Sequence, residues 1–264
     1  MITSDPVTPA PRITVDTHIH TVASGHAFST VTENAREAAS RGLAMIANTD
    51  HGPDLPGGTN KIYFKGQRVI PRFIAGVAVL RGIEANIRHG RGTDCTESME
   101  AALDLIMAGF HAPVYNNEGE AANTRRLISV ISSGRVDVIT HPANTKYPIS
   151  LRDVIQAARD CRTALEINCS RYTRTDSRPL AVQLAAMAAE EGAPLIMGSD
   201  AHICYDIGCF DLGLGVLEEA GVDPAILVNA TPLRLLEFLQ SRGRKNTADL
   251  LAHFQSTGEH RTAD

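Results

Sequence analysis

Short apolar runs without polar alternation return along this chain, and each is followed by a helical or crossover stretch. That rhythm constrains the fold more than any other feature. RITVDTH, LAMIANTDH, AVLRGIEAN, a segment near Ile106–His111, VDVITHP, TALEIN and APLIMGSDAH each read as a strand. A strand with no polar face is buried on both sides, as in a parallel sheet covered by helices. TVTENAREAASRG, ANTRRLISVISSGR, SLRDVIQAARDC and RPLAVQLAAMAAEEG read as intervening helices, and LGLGVLEEAG and TPLRLLEFLQSRG as later ones. Thr30 and Glu33 have capping-box spacing, and Ser150 stands at an N-cap position. Repeated β-then-α order in 264 residues predicts one α/β domain with a barrel-like parallel sheet. An open doubly wound sheet is the other arrangement this order allows. Residues 1–12 are Pro-rich and polar and read as a flexible N-terminal arm. The barrel is expected over 13–243, and a C-terminal tail over 244–264.

The histidines are not scattered. Seven of ten fall at or just beyond the C-terminal ends of the expected strands: His18, His20, His26, His51, His111, His141 and His202. Glu84 and Asp200 share that position. His89, His253 and His260 fall in a loop and the tail and read as surface residues. In parallel α/β barrels the C-terminal rim is where active sites are built. Strand alternation would turn Asp16, His18 and His20 to one side. A single strand histidine is ordinarily a packed or solvated residue, and HxH alone is a modest metal signal. Nine such residues on six of the seven strand ends point to metal binding. Imidazoles with carboxylates suit Zn, Mn or Fe, whereas an all-oxygen set would suit Mg or Ca.

Composition narrows the function classes. Net charge is −5, so nothing draws in a long nucleic-acid backbone. No apolar run reaches the ~18–20 residues of a membrane span, and the N-terminus lacks a signal-peptide core. Cys95, Cys161, Cys169, Cys204 and Cys209 form no CxxC pair and read as free thiols in packing roles, which fits a cytoplasmic protein. Arg171, Arg174 and Arg178 follow the EINCS strand on the same rim and are candidates for binding a phosphate.

The ordered set DTHIHTVASGHA, TDH, LRGIEANI, LDLIMAGFHAPV, VITHPANTKY, LEINCS and GSDAH resembles the PHP (polymerase and histidinol phosphatase) family. Its nearest likeness is the stand-alone YcdX-like bacterial phosphatase branch. The resemblance runs from about Ile13 to Gly243. It implies a distorted (β/α)7 TIM-like barrel with three divalent metal ions, zinc first and Mn or Fe as alternatives. Carried over residue by residue, His18, His20, Glu84 and Asp200 would hold the first ion. Glu84, as a bridge, would hold the second with His111 and His141. His26, His51 and His202 would hold the third. Asp16 and Asp50 would orient neighbouring imidazoles.

The implied activity is hydrolysis of small phosphomonoesters by a metal-bridging hydroxide, with Glu84 and Asp200 as the catalytic carboxylates. Asp200 or a metal-bound water would protonate the leaving alkoxide. The alternatives are a phosphodiesterase or nuclease on short oligonucleotides or nucleotides, an amidohydrolase-type enzyme, and a metal-dependent scaffold. An amidohydrolase usually carries a carbamylated lysine on a middle strand, and no lysine ends an expected strand here. The expected partner is a small phosphorylated substrate. A homo-oligomer stays open, with no interface signature in the sequence.

Overall fold

The computed structural model describes residues 13–90, 92–170 and 175–257. The arm expected over residues 1–12, Arg171 and Arg174 all lie outside the described residues. The first half runs β1 (Val15–Ile19), α1 (Val31–Ser40), β2 (Met45–Asn48), α2 (Lys61–Gly66), β3 (Phe73–Ile74) and β4 (Val77–Asn86). It continues with α3 (Glu97–Glu100), β5 (Leu105–Gly109), α4 (Glu120–Ser132), β6 (Val138–Ile139) and α5 (Leu151–Cys161). The last part holds β7 (Ala164–Asn168), α6 (Arg178–Glu191), β8 (Leu195–Gly198), α7 (Asp211–Ala220), α8 (Pro232–Ser241) and α9 (Ala248–Thr257).

Seven strands pair in parallel in the order β1-β2-β4-β5-β6-β7-β8. A bridge between Ile19 and Ala201 joins the two ends and closes the barrel at its upper rim. Lower in that seam the buried Asn229 does the joining. Its Nδ2 donates to the carbonyls of Val15 (3.0 Å) and Met197 (2.6 Å), and its Oδ1 accepts from Met197 N (3.0 Å). The expected barrel is therefore present. Its distortion lies in short pieces: β6 has two residues and α3 four.

The barrel interior is layered. Val15, Met45, Ala78, Leu80, Leu105, Met107, Val138, Ala164 and Ile196 fill its lower half and meet Leu235, Leu236 and Leu239 of α8 from below. The upper half is polar. A second apolar layer lies outside, between strands and helices. The expected C-terminal tail needs correction, because Leu250 and Phe254 of α9 join the lower core. Strand β3, antiparallel to β4, was also not expected; it closes a tight hairpin through Ala75 and Gly76, both at positive φ. The Thr30–Glu33 capping box forms. Ser150 takes the N-cap position of α5 without a side-chain capping bond. All five cysteines are free thiols, and no described helix is long and apolar enough to cross a membrane.

Candidate metal centre

Register decides which side chains reach the upper barrel. On β4, Ala78 and Leu80 point inward, so Gly82, Glu84 and Asn86 follow them. The same alternation turns Glu166 and Asn168 of β7 inward above Ala164. On β1 the pairing slips: Asp16 lies opposite Ile46, but Ile19 lies opposite Asn48, so one extra residue is accommodated between them. This bulge reverses the alternation. His18 and His20 point into the barrel, while Asp16 points to the β1–β8 seam. There Asp16 accepts from the backbone of His18 (3.3 Å), Ser199 (3.1 Å) and Gly208 (2.9 Å). The expectation that Asp16 orients an imidazole is thereby corrected: it holds backbone.

Five of the seven rim histidines share one arrangement. His18 Nδ1 donates to Glu166 Oε1 (2.7 Å), His111 Nδ1 to Asn86 Oδ1 (2.8 Å), and His26 Nδ1 to the Ser24 carbonyl (3.0 Å). His202 Nδ1 donates to the Asp200 carbonyl (2.9 Å). His20 Nδ1 meets Ser24 Oγ (3.1 Å), whose hydroxyl donates to Asp50 Oδ1 (2.7 Å). Asp50 thus orients His20 through one hydroxyl. Anchoring Nδ1 this way assigns the proton to that nitrogen and leaves the Nε2 lone pair facing inward.

Those lone pairs converge. His18 Nε2 lies 3.3 Å from Glu84 Oε2 and 3.5 Å from Asp200 Oδ1; His20 Nε2 lies 3.6 and 3.2 Å from the same atoms. Glu84 Oε1 faces His111 Nε2 (3.0 Å) and His141 Nε2 (2.9 Å), which are 3.3 Å apart. His26 Nε2 and His202 Nε2 are 3.1 Å apart. His51 departs from the expected grouping. Its Nδ1 lies 2.9 Å from Glu84 Oε2, and its ring atoms group with His20 and His202 and again with Glu84 and His111.

Charge follows from this crowding. Burial and the neighbouring imidazoles push His20 down to about 3. Burial pushes His111 down to about 4, against the pull of Glu84. Burial also lowers His18, but Glu166, Glu84 and Asp200 together hold it well above the ordinary value. Glu84 and Asp200 are buried, which raises them, yet the surrounding imidazoles hold both below the usual carboxylate range.

The site also departs from relaxed backbone geometry. His141 (φ 34°) and Asp200 (φ 54°) occupy the left-handed region that L residues seldom adopt, as happens where a side chain must be aimed. At Gly198 a Cβ would stand 2.5 Å from both Glu166 Oε1 and His18 Cβ, so only glycine leaves room for that pair.

These residues fit a metal centre. His18 Nε2, His20 Nε2, His51 Nδ1 and Glu84 Oε2 are buried without a hydrogen-bond partner in one small volume. Buried polar atoms are seldom left so. Paired imidazole nitrogens at 3.1 and 3.3 Å repel unless a proton or a metal ion lies between them. Three groups of ligand atoms satisfy metal-like spacing among the described residues.

Beside the site opens a cavity of about 420 Å³, lined by His26, His51, His111, His141, Glu166 and Asp200 and by the apolar Leu55, Phe110, Ala143 and Tyr147. Arg178 is not in that wall. Its guanidinium is taken by Glu219 (3.1 Å) and the Gly215 carbonyl (3.1 Å) of α7, so the expectation that it binds phosphate is corrected. Glu166, Asn86 and Ser24 carry the orientation of three imidazoles and were not singled out in the sequence. Glu166 had a readable signal, an acid two residues before the end of an apolar strand, as Glu84 is on β4.

Barrel and site together define an α/β-barrel hydrolase with a histidine-rich metal centre. The chain is 43% identical over 244 residues to a probable phosphatase of Shewanella amazonensis, covering 91% of this chain and 97% of that one. It is 43% identical over 234 residues to a probable phosphatase of Proteus mirabilis, covering 88% and 96%. The chain belongs to the family of these probable phosphatases and is a metal-dependent phosphatase. A scan against protein-family models matches none. Its fold is similar to that of histidinol phosphate phosphatase from Lactococcus lactis, with a TM-score of 0.58, 16% identity, and coverage of 80% of this chain and 94% of that one.

Proposed function

We propose that this chain hydrolyses small phosphomonoesters with three divalent metal ions, zinc foremost, as in the YcdX-like branch of the PHP family. The observation that carries the reading is the set of orphaned, converging atoms of His18, His20, His51 and Glu84. His18, His20, Glu84 and Asp200 would hold one ion, Glu84, His111 and His141 a second, and His26, His51 and His202 a third. His51 faces both of the last two positions. The Lactococcus fold neighbour was solved with zinc, L-histidinol and phosphate, which is in keeping with this reading. When bound, such ions lower the pKa of a water and neutralise phosphoryl oxygens.

The chain's own residues do the positioning. Glu84 presents each oxygen to a different group of imidazoles. Asp200 is held as a carboxylate, which suits ligation and proton acceptance. It does not suit protonation of the leaving oxygen, which then falls to solvent water. A cationic clamp on the phosphate rests on Arg171 and Arg174. The test is protein loaded with zinc or manganese, metal counted by plasma emission, and a screen of phosphomonoesters, phosphodiesters and amides. Three equivalents with monoester turnover are expected. One equivalent or fewer refutes the trinuclear reading, and diester or amide turnover alone refutes the monoesterase.

A further inference from the structure

A phosphate group fills only a fraction of the cavity, so the lining away from the histidines must accommodate the rest of the substrate. Leu55, Phe110, Ala143 and Tyr147 make that lining apolar, and Lys146 adds a cation to it. Lys146 is the only lysine or arginine among the described residues that line the cavity. It is exposed, and among the described residues its ammonium has no hydrogen-bond or ion-pair partner. The acids in the lining, Glu166 and Asp200, are engaged by His18, His20 and Asn168.

The turn that carries Lys146 is held on several sides. Asn144 Oδ1 accepts from Lys146 N (3.0 Å), and Tyr147 N donates to the Asn144 carbonyl (2.9 Å). Tyr147 OH donates to the Tyr115 carbonyl (3.1 Å), and Thr145 Oγ1 meets Ser177 Oγ (3.4 Å) at the start of α6. The backbone is fixed while the ammonium, at the exposed edge of the cavity, is left without a counter-ion, the two acids of the lining being engaged elsewhere.

Resting on the phosphatase reading above, we infer that Lys146 recognises a second anionic group, a carboxylate, on the alcohol part of the phosphomonoester. The substrate class is then a phosphorylated hydroxy acid whose carbon skeleton lies along Phe110 and Tyr147, with phosphate and carboxylate at opposite ends. An ammonium–carboxylate pair in a partly enclosed wall discriminates by about tenfold against an uncharged analogue.

The experiment uses metal-loaded protein and two matched pairs of esters: 4-carboxyphenyl phosphate against phenyl phosphate, and 3-phosphoglycerate against glycerol 3-phosphate. The wild type is expected to favour the carboxylated member of each pair in kcat/KM by about tenfold. Lys146→Gln should bring that ratio close to one, and Lys146→Arg should retain most of it. Equal losses on both members of a pair, or no preference in the wild type, overturn the inference. If neither ester is hydrolysed the phosphatase reading fails. Lys146 is then judged by calorimetry with 4-carboxyphenylphosphonate and phenylphosphonate, where equal affinities overturn it and tighter carboxylate binding, lost in Lys146→Gln, sustains it.

Discussion

His18 Nδ1 lies 2.7 Å from Glu166 Oε1, and both side chains are fully buried. The carboxylate fixes the ring's tautomer and aim, so that Nε2 faces Glu84 and Asp200. Glu166 also accepts from the backbone N of His141 (2.8 Å), and one carboxylate therefore steadies residues from two strand ends. Glu166→Gln keeps the shape and removes the charge. Loss of such a partner should weaken metal affinity about 10–100-fold while the fold survives. Chelator competition checks the affinity and circular dichroism the fold; unchanged affinity would refute an orienting role.

What the sequence made legible here was inheritance from strand order. Residues just beyond an apolar run fall on the rim whatever the details, so all nine expected ligands arrive at one end of the barrel. Parity failed at Asp16 because the β1 bulge exists only against the register of β2, which no local pattern records. Arg178 failed for a similar reason: its partner Glu219 is 41 residues away on α7. Helix α9 falls in the segment expected as a tail, and the partners of its Leu250 and Phe254 lie on the distant barrel floor. Asn229 carries no sequence signal at all, since an asparagine before Ala-Thr-Pro resembles any loop residue.

The metal-free protein should be most stable near pH 6.5. His20 and His111 stay neutral in the fold down to about 3 and about 4, below the free imidazole value of 6.5. The unfolded chain then binds more protons in acid, so their contribution fades as pH falls below 6.5. His18 and His141 are held above 6.5 by the acids around them, despite burial. They stabilise the fold below 6.5, and that contribution is lost as pH rises through their raised values. With two groups on each limb, each should slope by about 2–3 kcal/mol per pH unit. Metal binding requires His18 to be neutral and should abolish the alkaline limb. Urea titrations from about pH 5 to about pH 8.5, with and without chelator, measure both limbs; a flat metal-free profile would refute the assignment.

Gly198→Ala places a methyl group against the His18–Glu166 pair. Overpacking at a rigid strand should cost about 1–3 kcal/mol. It should also lower metal affinity, since neither contacting side chain can retreat without losing the other. Chemical denaturation of the metal-free protein isolates the packing cost from the metal effect. A variant equal to wild type in both would mean that β8 shifts freely.

Asn229 substitutes for the missing ladder where β1 and β8 part below the Ile19–Ala201 bridge. Removing its amide in Asn229→Ala strands the Met197 N–H, takes the amide donor from the Val15 carbonyl, and leaves the Met197 carbonyl the Thr17 hydroxyl (3.3 Å). Each unsatisfied group costs about 1–3 kcal/mol, some of which entering water would recover, so a loss of about 3 kcal/mol is expected. Asn229→Asp keeps the acceptor but loses both donated bonds and buries a carboxyl, and it should be no better tolerated. The melting temperature of both variants decides this, and a drop confined to the alanine variant would argue against the seam role.

His202 and His26 face each other through Nε2 at 3.1 Å, nearest to solvent of all the paired imidazoles. If a cation lies between them, His202→Ala removes one ligand of the outermost ion and leaves the deeper groups around Glu84 intact. Metal content should then fall by one equivalent per chain and no further. Phosphate-ester turnover should drop by about 10²-fold, the scale of losing one charge-stabilising contact. His18→Ala, by contrast, should disturb the ion held with His20, Glu84 and Asp200. Plasma emission on dialysed protein separates the two variants. Loss of all metal in His202→Ala would mean that the three groups load as a single cooperative unit rather than as separable positions.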